Sequence, residues 1–125
     1  MSRSSTPQPS YPYQDEPRWS KSEKAIARTA FDAALGRELY EVIQKTKQMA
    51  NAIQQSSDLW DLEKYLTERR KEIDRKYTYH HSELTQVFGR LLHEKRVSEE
   101  QLRGLGEDKL KSVRSVAELL AKYAA

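Results

Sequence analysis

The sequence contains no cysteine, and it has only four glycines and four prolines among 125 residues. Without cysteine the chain can form neither a disulfide nor a thiolate metal site, and it has no thiol nucleophile. It also lacks an apolar run of the ~18 residues that a membrane-spanning helix needs, and nothing in it resembles a signal peptide. These absences predict a soluble, cytoplasmic protein.

Several kinds of chemistry have no motif in this chain. There is no glycine-rich phosphate loop, and no carboxylate pair is spaced with a Ser, Thr or His as a nucleophile and base would be. His80 and His81 are adjacent, so on a helix they diverge by about 100° and cannot chelate one metal ion. We therefore expect neither an enzyme, nor a metal site, nor a cofactor.

Charge is abundant but balanced, because the 22 basic and 19 acidic residues leave a net charge of only +3. Basic pairs alternate with Glu and Asp, which favours solvated helix faces over a track for phosphates. We expect no nucleic-acid partner. A small helical nucleic-acid-binding protein remains a hypothesis from another class, which weak DNA binding with a flat salt dependence would dismiss.

The composition changes near residue 19. Residues 1–18 are rich in Ser, Pro and Tyr without a period, which predicts a disordered leader. Residues 19–125 are predicted to form a single all-helical domain. Ser20 and Glu23 fit a capping box, with Trp19 in front of it to pack against the first turn.

Apolar residues then recur at intervals of three and four up to about Gln54. A break at residues 54–58 supplies Ser57 or Asp58 as the cap of a second helix, which reaches at least Tyr77. Residues 19–77 are therefore predicted to form a long antiparallel hairpin.

Residues 78–125 are predicted to form a small helical head. Ser82 is a candidate cap for the head's first helix. Ser98 and Gln101 form a second capping box, ahead of a turn at the sequence GLG and a final helix.

The hairpin's apolar stripes are too long to bury each other alone. We therefore predict a homodimer in which two hairpins lie side by side as four helices. At about 100° per residue, one narrow sector of the second helix carries the predicted dimer interface. Its residues are Leu59, Leu62, Leu66 and Ile73.

A polar and aromatic flank borders that sector and carries Trp60, Glu63, Arg70 and Asp74. One interpretation is structural: Arg70 pairs with Asp74 one turn later, and Trp60 closes the start of the helix. The other is a docking patch for a partner, since Trp and Arg are the residues most enriched at binding hot spots.

The stretch DLWDLEKYLTERRKEIDRKY resembles the fluorescence recovery proteins of cyanobacteria. The shared pattern is Asp-Leu-Trp, Leu, aromatic-Leu, basic-Arg, Glu-Ile-Asp and Lys-Tyr. Further matches are Trp19-Ser20, RELY, VFGRLLHE and EDK. The resemblance covers about residues 19–115.

What the resemblance implies is an all-helical homodimer that binds the photoactivated orange carotenoid protein. It would accelerate the return from the red to the orange form without covalent chemistry, ending quenching of the phycobilisome antenna and restoring its fluorescence. By position, Leu59 belongs to the dimer interface, and Trp60, Arg70 and Phe88 belong to the partner-binding surface.

The chain departs from the family pattern beside the tryptophan. Glu63 and Lys64 stand where the family typically has His and then Asp, so an acid has become a base, and Gln86 replaces a phenylalanine of the head. Glu63 and Lys64, beside Trp60, and Asp74, which can pair with Arg70, complete the predicted partner-binding set. The alternative is a dimeric scaffold of the same kind with a different, unknown protein partner, in a bacterium that is not photosynthetic.

Overall fold

The computed structural model describes residues 18–124, so the predicted leader lies almost wholly outside the described residues. Four helices follow one another along this part of the chain and no strand forms within it: α1 Lys21–Asn51, α2 Ser56–Lys76, α3 Leu84–His93 and α4 Glu107–Ala124. The all-α prediction is confirmed. None of these four helices is long and apolar enough to cross a membrane.

The first helix begins where the sequence predicts. The Ser20 hydroxyl accepts from the backbone N–H of Glu23 at 3.1 Å, and the Glu23 carboxylate accepts from the N–H of Ser20 at 2.9 Å. Two of the four N–H groups that a helix start leaves unpaired are thereby satisfied. Its 31 residues make α1 a rod of about 46 Å.

The start of α2 lies slightly before the predicted position. Its N-cap is Gln55, and neither Ser57 nor Asp58 occupies that place. Asp58 lies in the first turn, and its carboxylate accepts hydrogen bonds from the preceding backbone N–H groups of Gln54 at 3.0 Å and Gln55 at 3.2 Å. A carboxylate in the first turn also interacts favourably with the helix dipole.

Two further terminus predictions need correction. Helix α2 ends at Lys76, with Tyr77 as its C-cap, so the predicted end is one residue too late. The N-cap of α3 is Glu83 without a side-chain capping bond, so Ser82 is not the cap. The box at Ser98 and Gln101 is present, with hydrogen bonds of 3.0 and 3.2 Å, and it stabilises a turn within the connection between α3 and α4.

The α1–α2 pair is an antiparallel hairpin joined by residues 52–55, but the first half of α1 also belongs to the head. One part of the buried core comes from α1 and the residue before its cap: Trp19, Ala27, Ala30, Phe31 and Ala34. The other part comes from α3, α4 and the connection between them: Leu84, Val87, Phe88, Leu91, Val97, Leu102, Leu105 and Val113. The core of the head is thus shared between α1 and residues 78–124.

Polar contacts attach α1 to the head at its first turn. The Glu23 carboxylate accepts from the backbone N–H of Gly106 at 2.6 Å and lies 3.2 Å from the Lys109 ammonium. The indole N–H of Trp19 donates to the His81 carbonyl at 3.1 Å, and the Lys109 ammonium lies 5.1 Å from the centre of its ring. Trp19 therefore bridges α1 to the head, beyond the local packing predicted for it.

Candidate functional site

Three sides of α2

The side of α2 that contacts α1 is ionic. Glu38 of α1 is fully buried and receives hydrogen bonds from Lys76 at 2.8 Å, Arg69 at 2.8 Å and Tyr77 at 2.7 Å. The Arg96 guanidinium, from the connection that follows α3, lies 3.1 Å from the other side of the carboxylate. These five residues, the Glu38 cluster, join α1, α2 and the head at one point.

The cluster keeps Glu38 ionised. Burial opposes the charged form, but the hydrogen bonds from Lys76, Tyr77 and Arg69 outweigh that effect and lower the pKa of Glu38 to about 2. Burial and the bond to Glu38 raise the pKa of Tyr77, so the phenol keeps its proton. The carboxylate is matched by permanent donors, which makes the cluster a structural joint with no proton to exchange near neutral pH.

Only part of the predicted apolar sector of α2 is covered by α1. Leu59 is 45% exposed and Leu66 is 40% exposed, while Leu62 and Ile73 are half-buried at its border with α1. Arg69 and Lys76 do contact α1, and their side chains leave α2 about 60° around the helix axis from this sector. Leu59 and Leu66 are therefore not covered within one chain, and the predicted dimer interface stays a prediction.

The same side of the hairpin carries exposed apolar residues from α1. Leu39 is 43% exposed and Ile43 is 51% exposed. In each helix, we measure the rotation about the helix axis from the direction that faces the other helix. In an antiparallel pair, side chains rotated in the same sense on both helices lie on the same side of the pair. Leu39 and Ile43 of α1 are rotated in the same sense as Leu59 and Leu66 of α2, so all four lie on one side. These four residues form the apolar face of the hairpin.

The predicted docking residues lie beside this face and are open to solvent. Trp60 is 62% exposed, and the side chain of Arg70 is 86% exposed. The predicted ion pair between Arg70 and Asp74 is present at 3.8 Å, with the Asp74 side chain 72% exposed. Screening by water makes such a pair worth well under ~1 kcal/mol, so Arg70 is not held by structural need.

The remaining predicted contact residues divide. Glu63 and Lys64 are exposed one turn beyond Trp60, and the Glu63 carboxylate lies 3.4 Å from the Thr67 hydroxyl. Phe88 is fully buried in the head core. Its prediction as a partner-binding residue needs correction, because its ring cannot touch a partner without opening the core.

Trp60 and Arg70 are ten residues apart, about 15 Å along the helix axis, so they form two contact points and not one pocket.

Sequence reasoning missed the Glu38 cluster, although a signal for it exists. Glu38 stands four residues after Ala34 and seven after Phe31, in line with the buried side of α1. A carboxylate on an apolar stripe must find cationic partners when it is buried. Its partners come from two other segments, so local periodicity cannot name them.

No site for a metal ion is visible in residues 18–124, where no three His, Asp or Glu side chains come together as a metal would require. The features that stand out are surfaces: an apolar face and a flank of exposed aromatic and charged groups. Surfaces of this kind suit macromolecular recognition.

Relationship to known proteins

The model of the family "Photoprotection regulator fluorescence recovery protein" matches residues 19–117. The fluorescence recovery protein of Synechocystis sp. PCC 6803 is 36% identical over 104 residues, covering 83% of this chain and 95% of that protein. Among solved structures, the Fremyella diplosiphon protein superposes with a TM-score of 0.78 at 36% identity, over 81% of this chain and 99% of that one. The Synechocystis structure gives a TM-score of 0.77 with the same coverage and identity. With the family model matching most of the domain and the fold shared along nearly the whole length of both relatives, the chain belongs to the fluorescence recovery protein family.

Proposed function

We propose that this protein binds the photoactivated orange carotenoid protein and accelerates its return from the red to the orange form. Quenching of the phycobilisome antenna then ends and antenna fluorescence recovers. Family membership carries this proposal. A protein can act in this way without a covalent step if it binds best to the arrangement through which the carotenoid protein relaxes.

The working form that we propose is a homodimer. The apolar face exposes Leu39, Ile43, Leu59 and Leu66 on one side of the hairpin. Burying these four side chains against the same face of a second copy would remove them from water in an isologous, two-fold contact. Leu62 and Ile73, at the edge of the face, would complete that interface.

Trp60, Glu63, Lys64, Arg70 and Asp74 are the proposed partner-binding residues. Trp60 and Lys64 are turned by about 100° or more from Leu59, so dimer formation would leave them accessible. Glu63, Arg70 and Asp74 are turned by about 20–60° from Leu59 and would lie at the rim of the dimer contact. Arg70 and Trp60 are the strongest candidates for energetic anchors, since both are largely exposed and a partner could desolvate them fully.

The test mixes stoichiometric amounts of the protein with an illuminated orange carotenoid protein and follows relaxation in the dark by absorbance. We expect a large acceleration, and we expect Trp60→Ala to lose most of it. Tyr40→Ala is the matched control, because Tyr40 is also 62% exposed but lies on the outer side of α1. Equal activity of the two variants would remove Trp60 from the proposed surface.

A second candidate follows from the charge at Lys64. The resemblance places an acid at this position, whereas here an ammonium group is exposed beside Trp60. A scaffold with another protein partner is therefore the alternative. A homogeneous dimer that neither binds the carotenoid protein nor accelerates its relaxation would favour this alternative.

A further inference from the structure

The third side of α2 is basic and points away from α1. At about 100° per residue, Trp60, Lys64, Lys71 and Arg75 fall within about 60° of one another. This sector, which we name the basic face, is turned by more than about 100° from the apolar face and from the direction of the Glu38 cluster. Its four side chains are exposed.

The cations of the basic face have no partner within residues 18–124. Lys64, Lys71 and Arg75 make neither an ion pair nor a side-chain hydrogen bond there. By contrast, Arg69 and Lys76 of the same helix are both bound to Glu38. Arg75 stabilises the helix C-terminus through the helix dipole. Lys64 and Lys71 stand in the middle of α2, where that explanation does not apply.

A dimer formed through the apolar face would leave the basic face uncovered. Its cations are spread over about 17 Å of helix, from Lys64 to Arg75, with the indole of Trp60 at one end. A row of unpaired cations ending in an exposed aromatic ring is complementary to a carboxylate-rich surface beside an apolar recess.

We propose that the basic face of α2 docks on an acidic surface of the protein partner, with Trp60 as its apolar anchor. The inference rests on the proposed function, since it takes the orange carotenoid protein as that partner. It adds the chemistry of the partner's surface and makes Lys64, Lys71 and Arg75 determinants of specificity.

A protein surface fits this face better than a nucleic acid does. Duplex DNA carries a charge every ~1.7 Å, so three cations over about 17 Å neutralise only a small part of it. The acidic side chains of Asp61 and Glu68 border the face and would repel phosphates. On a protein, the same two carboxylates could be placed opposite neutral or basic residues.

The experiment reverses the three charges in Lys64→Glu/Lys71→Glu/Arg75→Glu and measures binding to the illuminated carotenoid protein at low and high salt. The control Lys47→Glu/Lys111→Glu/Lys122→Glu changes the net charge equally, at exposed lysines elsewhere. Circular dichroism and light scattering establish that both variants keep the wild-type helix content and mass.

We expect the reversal on the basic face to weaken binding at least about tenfold and to flatten its salt dependence. The control should stay within about twofold of wild type. If wild type binds and the basic-face variant binds equally well, this inference is overturned while the proposed function stands. If wild type itself does not bind, both are overturned. Loss of duplex-DNA binding alone in the basic-face variant would identify a nucleic-acid surface and would also overturn the inference.

Discussion

Neutralising Glu38 should destabilise the protein more than the loss of any exposed charge. Glu38→Gln keeps the shape of the side chain but removes the charge that balances Lys76 and Arg69. Removing one partner from a buried ionic cluster costs about 3–5 kcal/mol. We expect the lower end of this range, because Lys76 also pairs with Glu94 at 2.8 Å and Arg69 also pairs with Glu72. The side chain of Lys76 is only 2% exposed, so water cannot replace the lost carboxylate.

The pKa of Glu38 gives an independent figure of the same size. Lowering it from 4.5 to about 2 corresponds to about 3 kcal/mol of stabilisation when the group is ionised in both states. Because the folded-state pKa is below the unfolded value, this contribution is complete above the unfolded pKa and is lost as the pH falls towards the folded one. At about pH 3, less than half of it remains. Glu23, whose pKa is also lowered to about 2, adds to the acid sensitivity of both proteins equally.

The assay is urea unfolding followed by circular dichroism at fixed protein concentration, at pH 7 and near pH 3. Glu41→Gln is the matched control, because the Glu41 side chain is 59% exposed and also pairs with Arg96, at 3.0 Å. We expect Glu38→Gln to lose about 3 kcal/mol at pH 7 and the control to lose less than ~1 kcal/mol. The gap between wild type and Glu38→Gln should shrink by more than half near pH 3. Equal losses in the two variants at pH 7, or a gap that does not change with pH, would refute the reasoning.

Two further predictions concern the apolar face and packing in the head. Leu59→Glu should convert the proposed dimer to a monomer in light scattering, because it places a charge in the contact, whereas Leu119→Glu, at a residue of α4 that is 53% exposed, should leave the mass unchanged. Dissociation of both variants, or of neither, would count against the apolar face as the dimer contact. Gly89→Ala should cost about 1–3 kcal/mol in thermal unfolding, since an added methyl group would lie 2.4 Å from the Val116 side chain. Gly36→Ala meets no atom within 4 Å and should stabilise α1 by about 0.5–1 kcal/mol; an equal effect at the two glycines would contradict the packing of α3 on α4.

Local sequence signals predicted the helices well and their ends less well. The capping box at Ser20 places the start of α1 correctly, because both of its hydrogen bonds are formed within four residues. The cap of α2 was placed too late, since Asp58 can accept backbone N–H groups from the first turn as easily as from the N-cap. Such errors are common where two neighbouring residues can satisfy the same donors.

The candidate site was predictable only in part. A helical wheel identified which residues of α2 share a side, and it placed Arg70 and Asp74 close enough to pair. It could not tell which side faces α1. An apolar stripe normally predicts the contact within the chain, yet here the charged side of α2 makes that contact through Glu38.

The sequence by itself determined the four helices, the short connection of the hairpin, the lack of thiol chemistry and the resemblance that the comparisons confirm. Only the tertiary structure decided that Glu38 and Phe88 are buried and that α1 is shared between the hairpin and the head. It also decided that Leu59 and Leu66 of α2 are left on the surface. Periodicity and capping act between residues less than two turns apart, so they can be deduced from neighbouring letters. Which side of a helix becomes buried depends on contacts between distant parts of the chain, and those contacts form only when the chain folds. The hydrogen-bond partners of Glu38 on α2 and its C-cap, for example, are 31 to 39 positions away in the sequence.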